Sequence, residues 1–148
     1  MQFTELNLNF HKPIMLWLIL LTIMVFLIIV IGGLTRLTDS GLSMVDWRPL
    51  LGTIPPLNQN QWLRVFNDYQ LTPEFIYVNK NMTLEEFKYI FWWEWFHRFF
   101  ARLIGVVFLF PFIYFYFKKY LNIFFYKRFA IIFSLGLIQA IVGWWMVK

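Results

Sequence analysis

Cysteine is absent from the 148 residues, histidine occurs twice, and charged residues make up only 14% of the chain. Without cysteine there is no disulfide, thiolate metal site or cysteine nucleophile, and the redox compartment stays open. The shortage of charge says more, because a soluble domain is usually about 25% charged and about 45–50% apolar. Here 60% is hydrophobic and 23% aromatic. That balance predicts an all-α integral membrane protein with the lipid bilayer as its solvent. Also missing are a Gly-rich phosphate loop, an HExxH motif, a nucleophile elbow and a repeated DxD cluster. The formal charge of +5 does not imply a nucleic-acid partner, since the basic residues cluster at the ends of apolar runs, as topology signals do.

Three apolar runs, at about 14–33, 91–117 and 125–147, can each cross a hydrocarbon core of roughly 30 Å. The first outruns a signal-peptide apolar region of about 7–15 residues, and no small-x-small cleavage site follows. It reads as a retained anchor. The residues before it hold one Lys and no Arg, unlike a transit peptide. The link between the second and third runs carries Lys118, Lys119, Lys127 and Arg128 and no acid, whereas 34–90 carries five basic and six acidic residues. By the positive-inside rule the link and the Lys12 end are cytoplasmic or matrix-side. The 34–90 segment and the C-terminus then lie outside.

That outer segment is rich in Trp47, Trp62, Phe66, Tyr69, Phe75 and Tyr77, too aromatic for a disordered linker. After Pro55-Pro56, Asn58 is placed to cap a short helix with Trp62, Val65, Phe66 and Tyr69 on one face. The face is expected on the membrane surface or on the helix bundle. Thr83 and Glu86 form a capping box, with Met82 and Phe87 as its hydrophobic staple. A helix over 84–117 would be about 51 Å long at about 1.5 Å per residue. Three or four turns then protrude outside, the outer boundary falls near His97 and Arg98, and Trp92, Trp93 and Trp95 form an interfacial belt. Pro111 should leave the Val107 carbonyl without its helical donor and kink the helix.

Glu94 and His97 stand three residues apart where the polar segment meets the apolar one. Ionisable groups at that depth are costly and mark a functional hypothesis. With no cysteine, imidazole is the one strong metal ligand besides carboxylates. On a helix Glu94, His97, Arg98 and Ala101 form one patch, and Arg102 follows one turn deeper. Ala101 and Gly105 keep the face beside His97 shallow, as a flat macrocycle or a close helix requires. Gly136, Gln139, Ala140 and Gly143 give the third run a similar strip, which also suits plain helix packing. Gly32-Gly33 reads as close packing or a helix exit. Several readings stay open. His97 is a ligand, a proton-transfer group or an interfacial hydrogen-bond donor. Glu94 is catalytic or a structural partner of Arg98. Arg98 and Arg102 are snorkelling anchors or hold an anionic group such as a haem propionate. His11 is an interfacial residue at the opposite face.

The run Gly32 to Ser43 (GGLTRLTDSGLS) resembles the segment after the first helix of the haem A synthases. Trp47-Arg48-Pro49, Pro55-Pro56-Leu57, residues 82–88, residues 91–98, Gly105 and residues 143–148 continue the likeness in order. It covers about 32–148 and is closest to the alphaproteobacterial and mitochondrial branch. The resemblance implies an inner-membrane oxidoreductase that takes the C8 methyl of haem O to a formyl group, giving haem A for cytochrome oxidase. It implies eight helices in two four-helix bundles, each with a His pair. The C-terminal bundle holds a haem b and the N-terminal one receives haem O. The family's Glu-x-x-His falls on Glu94 and His97. His97 is thereby implied as an axial iron ligand and Glu94 as a catalytic residue acting through proton transfer. Arg36, Arg98 and Arg102 are expected beside them as cofactor-binding residues. The electron donor is left unnamed. The family's fourth helix and second bundle are not in this sequence, so the resemblance implies a fragment, a split-gene product or a truncated frame. Such a chain is expected to be inactive alone, completed by a second polypeptide or another copy. The implied place is the bacterial inner membrane, N-terminus cytoplasmic, with the mitochondrial inner membrane as the alternative. Two other classes fit the residues: a non-catalytic haem-binding or electron-transfer subunit, and a structural membrane subunit.

Overall fold

The computed structural model describes residues 12–45 and 54–145. Five helices follow in order: α1 (Lys12–Leu37), α2 (Gln59–Gln70), α3 (Pro73–Tyr77), α4 (Leu84–Phe117) and α5 (Ile123–Trp145). No strand occurs among the described residues. Three helices, α1, α4 and α5, are long and apolar enough to cross a membrane. The fold is therefore all-α and multi-pass, as the composition predicts.

Helices α1 and α4 run antiparallel along one seam. On α1, Ile14, Trp17, Leu21 and Met24 are buried at alternating steps of three and four residues. Phe108, Phe112 and Phe115 do the same on α4. This is the period of helices that stay in register over several turns. The residues meet in an aromatic core near the Lys12 end of α1, labelled the inner one after the expected topology, where the Trp17 ring lies 5.4 Å from Phe108, 5.5 Å from Phe115 and 5.4 Å from Phe129. Pro111 stands inside α4, and the helix continues through it. The Val107 carbonyl that proline deprives of a donor is satisfied instead by the Trp17 indole, whose Nε1 donates to it at 2.8 Å. An unmet carbonyl in a hydrocarbon medium would be costly.

A second core, labelled the outer one after the expected topology, forms on the first turns of α4. Asn58 caps α2, its side chain accepting from Gln61 N. Trp62, Phe66 and Tyr69 then bury their common face against Phe87, Ile90 and Phe91. Of the two expected seats for that face, the bundle is the one observed. Tyr69 is fully buried and its hydroxyl accepts from Asn79 Nδ2 at 2.9 Å. Burial pushes the phenol above its ordinary value. The capping box is present, with Thr83 and Glu86 each satisfying the other's backbone N–H.

Helices α1 and α4 each close with a left-handed residue that is not glycine. Asp39 (φ 47°) ends α1, where Ser40 N donates to Thr35 O at 3.0 Å and Asp39 N to Arg36 O at 3.3 Å. Lys119 (φ 55°) ends α4, with Tyr120 N on Phe115 O and Lys119 N on Tyr116 O, both at 3.0 Å. This paired pattern satisfies the terminal carbonyls, and the Phe115–Tyr120 ring contact at 6.2 Å is its usual hydrophobic companion. Gly32 and Gly33 lie inside α1, so they are not a helix exit. Helix α5 touches the rest through its inner half. Phe129 is its one buried residue, and Gly136, Gln139, Ala140 and Gly143 are exposed. The small-residue strip of α5 thus packs on no other helix here.

Candidate functional site

Between the two cores α4 is loosely covered: none of its side chains from 95 to 107 is fully buried. Glu94 stands at the outer edge of that gap, only 3% exposed. Its Oε2 accepts from Ser43 Oγ at 2.7 Å and from Met44 N at 2.9 Å. Its Oε1 takes a short contact from Arg98 Nη2, one turn along the helix. A buried charge is tolerable when it is paired and hydrogen-bonded, and this carboxylate has all three donors. The i, i+4 spacing anticipated the Arg98 pair. It gave no hint of Ser43, 51 residues away in sequence.

Ser43 reaches Glu94 because the turn after α1 is itself cross-linked. Ser40 Oγ donates to Thr35 O at 3.0 Å and lies 2.7 Å from Thr38 Oγ1. Thr35 Oγ1 donates to Gly32 O at 2.8 Å. Among the described residues the buried polar side chains are Thr35, Ser40, Ser43 and Glu94, and all four belong to this corner.

His97 lies one turn beyond Glu94, half-buried against α1. A Cβ built on Gly32 would stand 3.3 Å from His97 Nε2 and 3.7 Å from its Cδ2. Gly32 thus packs directly on this edge of the imidazole, and a larger residue there would press on it. The sequence placed the shallow surface beside His97 on α4, at Ala101 and Gly105. The structure adds Gly32 on α1, which lies against the imidazole, while a Cβ on Gly105 would meet nothing within 4 Å. The signal was the Gly32-Gly33 pair, whose partner could not be read from α1 alone.

The three arginines separate. Arg98 pairs with Glu94 through its Nη2. Arg102 is half-buried, and its Nη1 is enclosed without a hydrogen-bond partner. Arg36, in the last turn of α1, is exposed and outside the buried network. Trp95, half-buried, also keeps an enclosed and unpartnered Nε1, and its ring stacks on Phe99 at 5.1 Å. Trp92 meets Trp62 of α2 at 5.9 Å. His11 and Trp47-Arg48-Pro49 lie outside the described residues. No cluster of three or more His, Asp or Glu side chains able to hold a bare metal ion occurs among the described residues.

Sequence comparison decides the family. The cytochrome oxidase assembly protein family matches residues 15–148. The chain belongs to this family. Among curated relatives, the Heme A synthase of Nitrosospira multiformis is 50% identical over 147 residues, covering 99% of this chain and 41% of that protein. The Heme A synthase of Caulobacter sp. strain K31 is 46% identical, covering 93% and 40%. That of Flavobacterium psychrophilum is also 46% identical, covering 93% and 41%. The chain thus spans about two fifths of the length of these cytochrome oxidase assembly relatives. No solved structure matches it.

Proposed function

We propose that the chain takes part in haem A biosynthesis, holding haem O through His97 while the C8 methyl is oxidised to a formyl group. The observation that carries this reading is the pairing of His97 with Gly32. The half-buried imidazole packs against Gly32, where even a Cβ would press on Nε2. Membership of the cytochrome oxidase assembly family and likeness to proteins named Heme A synthase support a haem-related ligand, and the choice of haem O is part of the proposal.

The residues present fit an iron porphyrin. His97 would ligate the iron, and the enclosed, unpartnered Nη1 of Arg102 is a donor in wait of an acidic edge such as a propionate. Haem iron supplies redox chemistry that no side chain here can, drawing electrons from an external donor. The protein's own part is orientation. Arg98 neutralises Glu94, and the α1–α4 seam fixes the distance between Gly32 and His97. His97 is the one imidazole among the described residues. A second nitrogen ligand would come from a further stretch of chain, a second polypeptide or a second copy. The same reading places the protein in the bacterial inner membrane with the Lys12 end cytoplasmic, the mitochondrial inner membrane being the alternative.

Cells lacking haem A synthase supply the test. Expression of this chain together with a segment carrying the remaining helices of a relative should restore haem A from haem O, and His97→Ala should abolish it. Haem A formation that survives His97→Ala would refute the assignment.

A further inference from the structure

We propose that Ser43 is a positioning residue for the iron site. With the Met44 N–H it clamps Glu94, and the clamp holds the outer end of α1, Gly32 included, against His97. This inference rests on the reading of His97 as an iron ligand.

The packing shows why a clamp is needed. Between Met24 and Thr35 no side chain of α1 is fully buried. The apolar contacts that bind α1 to α4 lie in the inner half, around Trp17 and Phe108. Beyond α1 the chain is held to α4 by the buried Met44 side chain, packed with Phe87, Ile90 and Phe91, and by a polar tie: Ser43 Oγ at 2.7 Å and Met44 N at 2.9 Å, both on Glu94 Oε2. Ser43 is 1% exposed, so water does not compete for its bond. Hydrogen bonds to a charged acceptor are among the stronger ones a protein makes. From Ser43 the constraint passes along the turn. Ser40 and Thr38 brace each other, Ser40 bonds the Thr35 carbonyl, and Thr35 bonds the Gly32 carbonyl. That carbonyl belongs to the residue facing His97 Nε2. Loss of the Ser43 hydroxyl removes one anchor of this brace and leaves Met44 as the other, so the outer end of α1 is held less tightly.

Glu94 therefore acts through position. Both its oxygens are engaged by Ser43, Met44 and Arg98. The Glu-x-x-His spacing supplies one residue that fixes the neighbouring helix and one that meets the iron.

The test uses the full chain in detergent, titrated with haem and followed by its Soret band. A spin label on Leu42→Cys, an exposed position in a chain with no native cysteine, reports loop mobility in parallel. Ser43→Ala should weaken haem binding by about tenfold, the scale of one hydrogen bond to a charged group. It should also shift the Soret maximum and loosen the label, and Ser43→Thr, which keeps the hydroxyl, should restore all three. If Ser43→Ala does not fold, Glu94→Gln is read in its place with the same expectation. Unchanged binding and spectrum in Ser43→Ala, alongside loss of the band in His97→Ala, would overturn the positioning role alone. A loosened label with an unchanged spectrum would overturn it equally, leaving a structural clamp. A wild-type chain without a His97-dependent band would overturn the iron reading and this inference with it.

Discussion

A single methyl group distinguishes the two glycines of α1. At Gly32 it would press on His97 Nε2 from 3.3 Å, and at Gly33 it would meet nothing within 4 Å. Gly32→Ala is therefore expected to lower haem affinity several-fold and alter the Soret band, with Gly33→Ala as a silent control; equal effects would rule out the contact. Both glycines are tolerated inside the helix at a propensity cost of about 1 kcal/mol each relative to alanine. Gly33→Ala should therefore leave the protein as stable or more so. Residue roles were legible where they were local. Glu94 and Arg98 are one helical turn apart, and their pairing follows from spacing. Ser43 and Gly32 act on α4 from another helix, and no periodicity within either segment reports which residues will face each other.

Among the elements, α4 was the most readable. Its start is fixed by the Thr83–Glu86 capping box and its end by the basic residues from Lys118, so residues 84–117 follow from local chemistry alone. What local chemistry left open was the fate of the Val107 carbonyl. Trp17 supplies the missing donor, which yields a double-mutant cycle. Trp17→Phe should destabilise the protein by about 1–3 kcal/mol, because a buried acceptor is left unmet. In a Pro111→Ala background residue 111 regains its N–H and can serve Val107 itself, so the same change should cost less. Thermal unfolding in detergent measures the difference; identical costs in both backgrounds would mean that the indole bond does not replace the helical one. The outer core gives a pH prediction. Burial raises the Tyr69 phenol above its unfolded value of 10.0, so the folded state holds that proton more tightly than the unfolded one. The contribution is present below pH 10 and is lost as pH rises through the folded value. The α2–α4 contact should loosen in strong alkali, seen as tyrosinate absorbance appearing with the loss of aromatic ellipticity. Tyr69→Phe should remove that step.

For the whole molecule, the two cores sit at opposite ends of the α1–α4 pair, with a thinly covered stretch of α4 between them. Composition and hydropathy foretold three crossings, since each depends only on the length of an apolar run. They could not foretell that α2 would fold back on α4, because an amphipathic face fits a bilayer surface as well as a helix. Nor could they show that the small-residue strip of α5 would stay uncovered. Orientation is open to a direct check, because every introduced cysteine is unique. Tyr77→Cys, on the exposed end of α3, should react with an impermeant maleimide from outside intact cells, and Asn122→Cys only after the membrane is opened. The reverse pattern would invert the topology. The account as a whole turns on His97. The most direct measurement is the visible spectrum of the purified chain with haem, wild type against His97→Ala. The account predicts a Soret band of ligated haem that His97→Ala removes; an identical band in both proteins would contradict it.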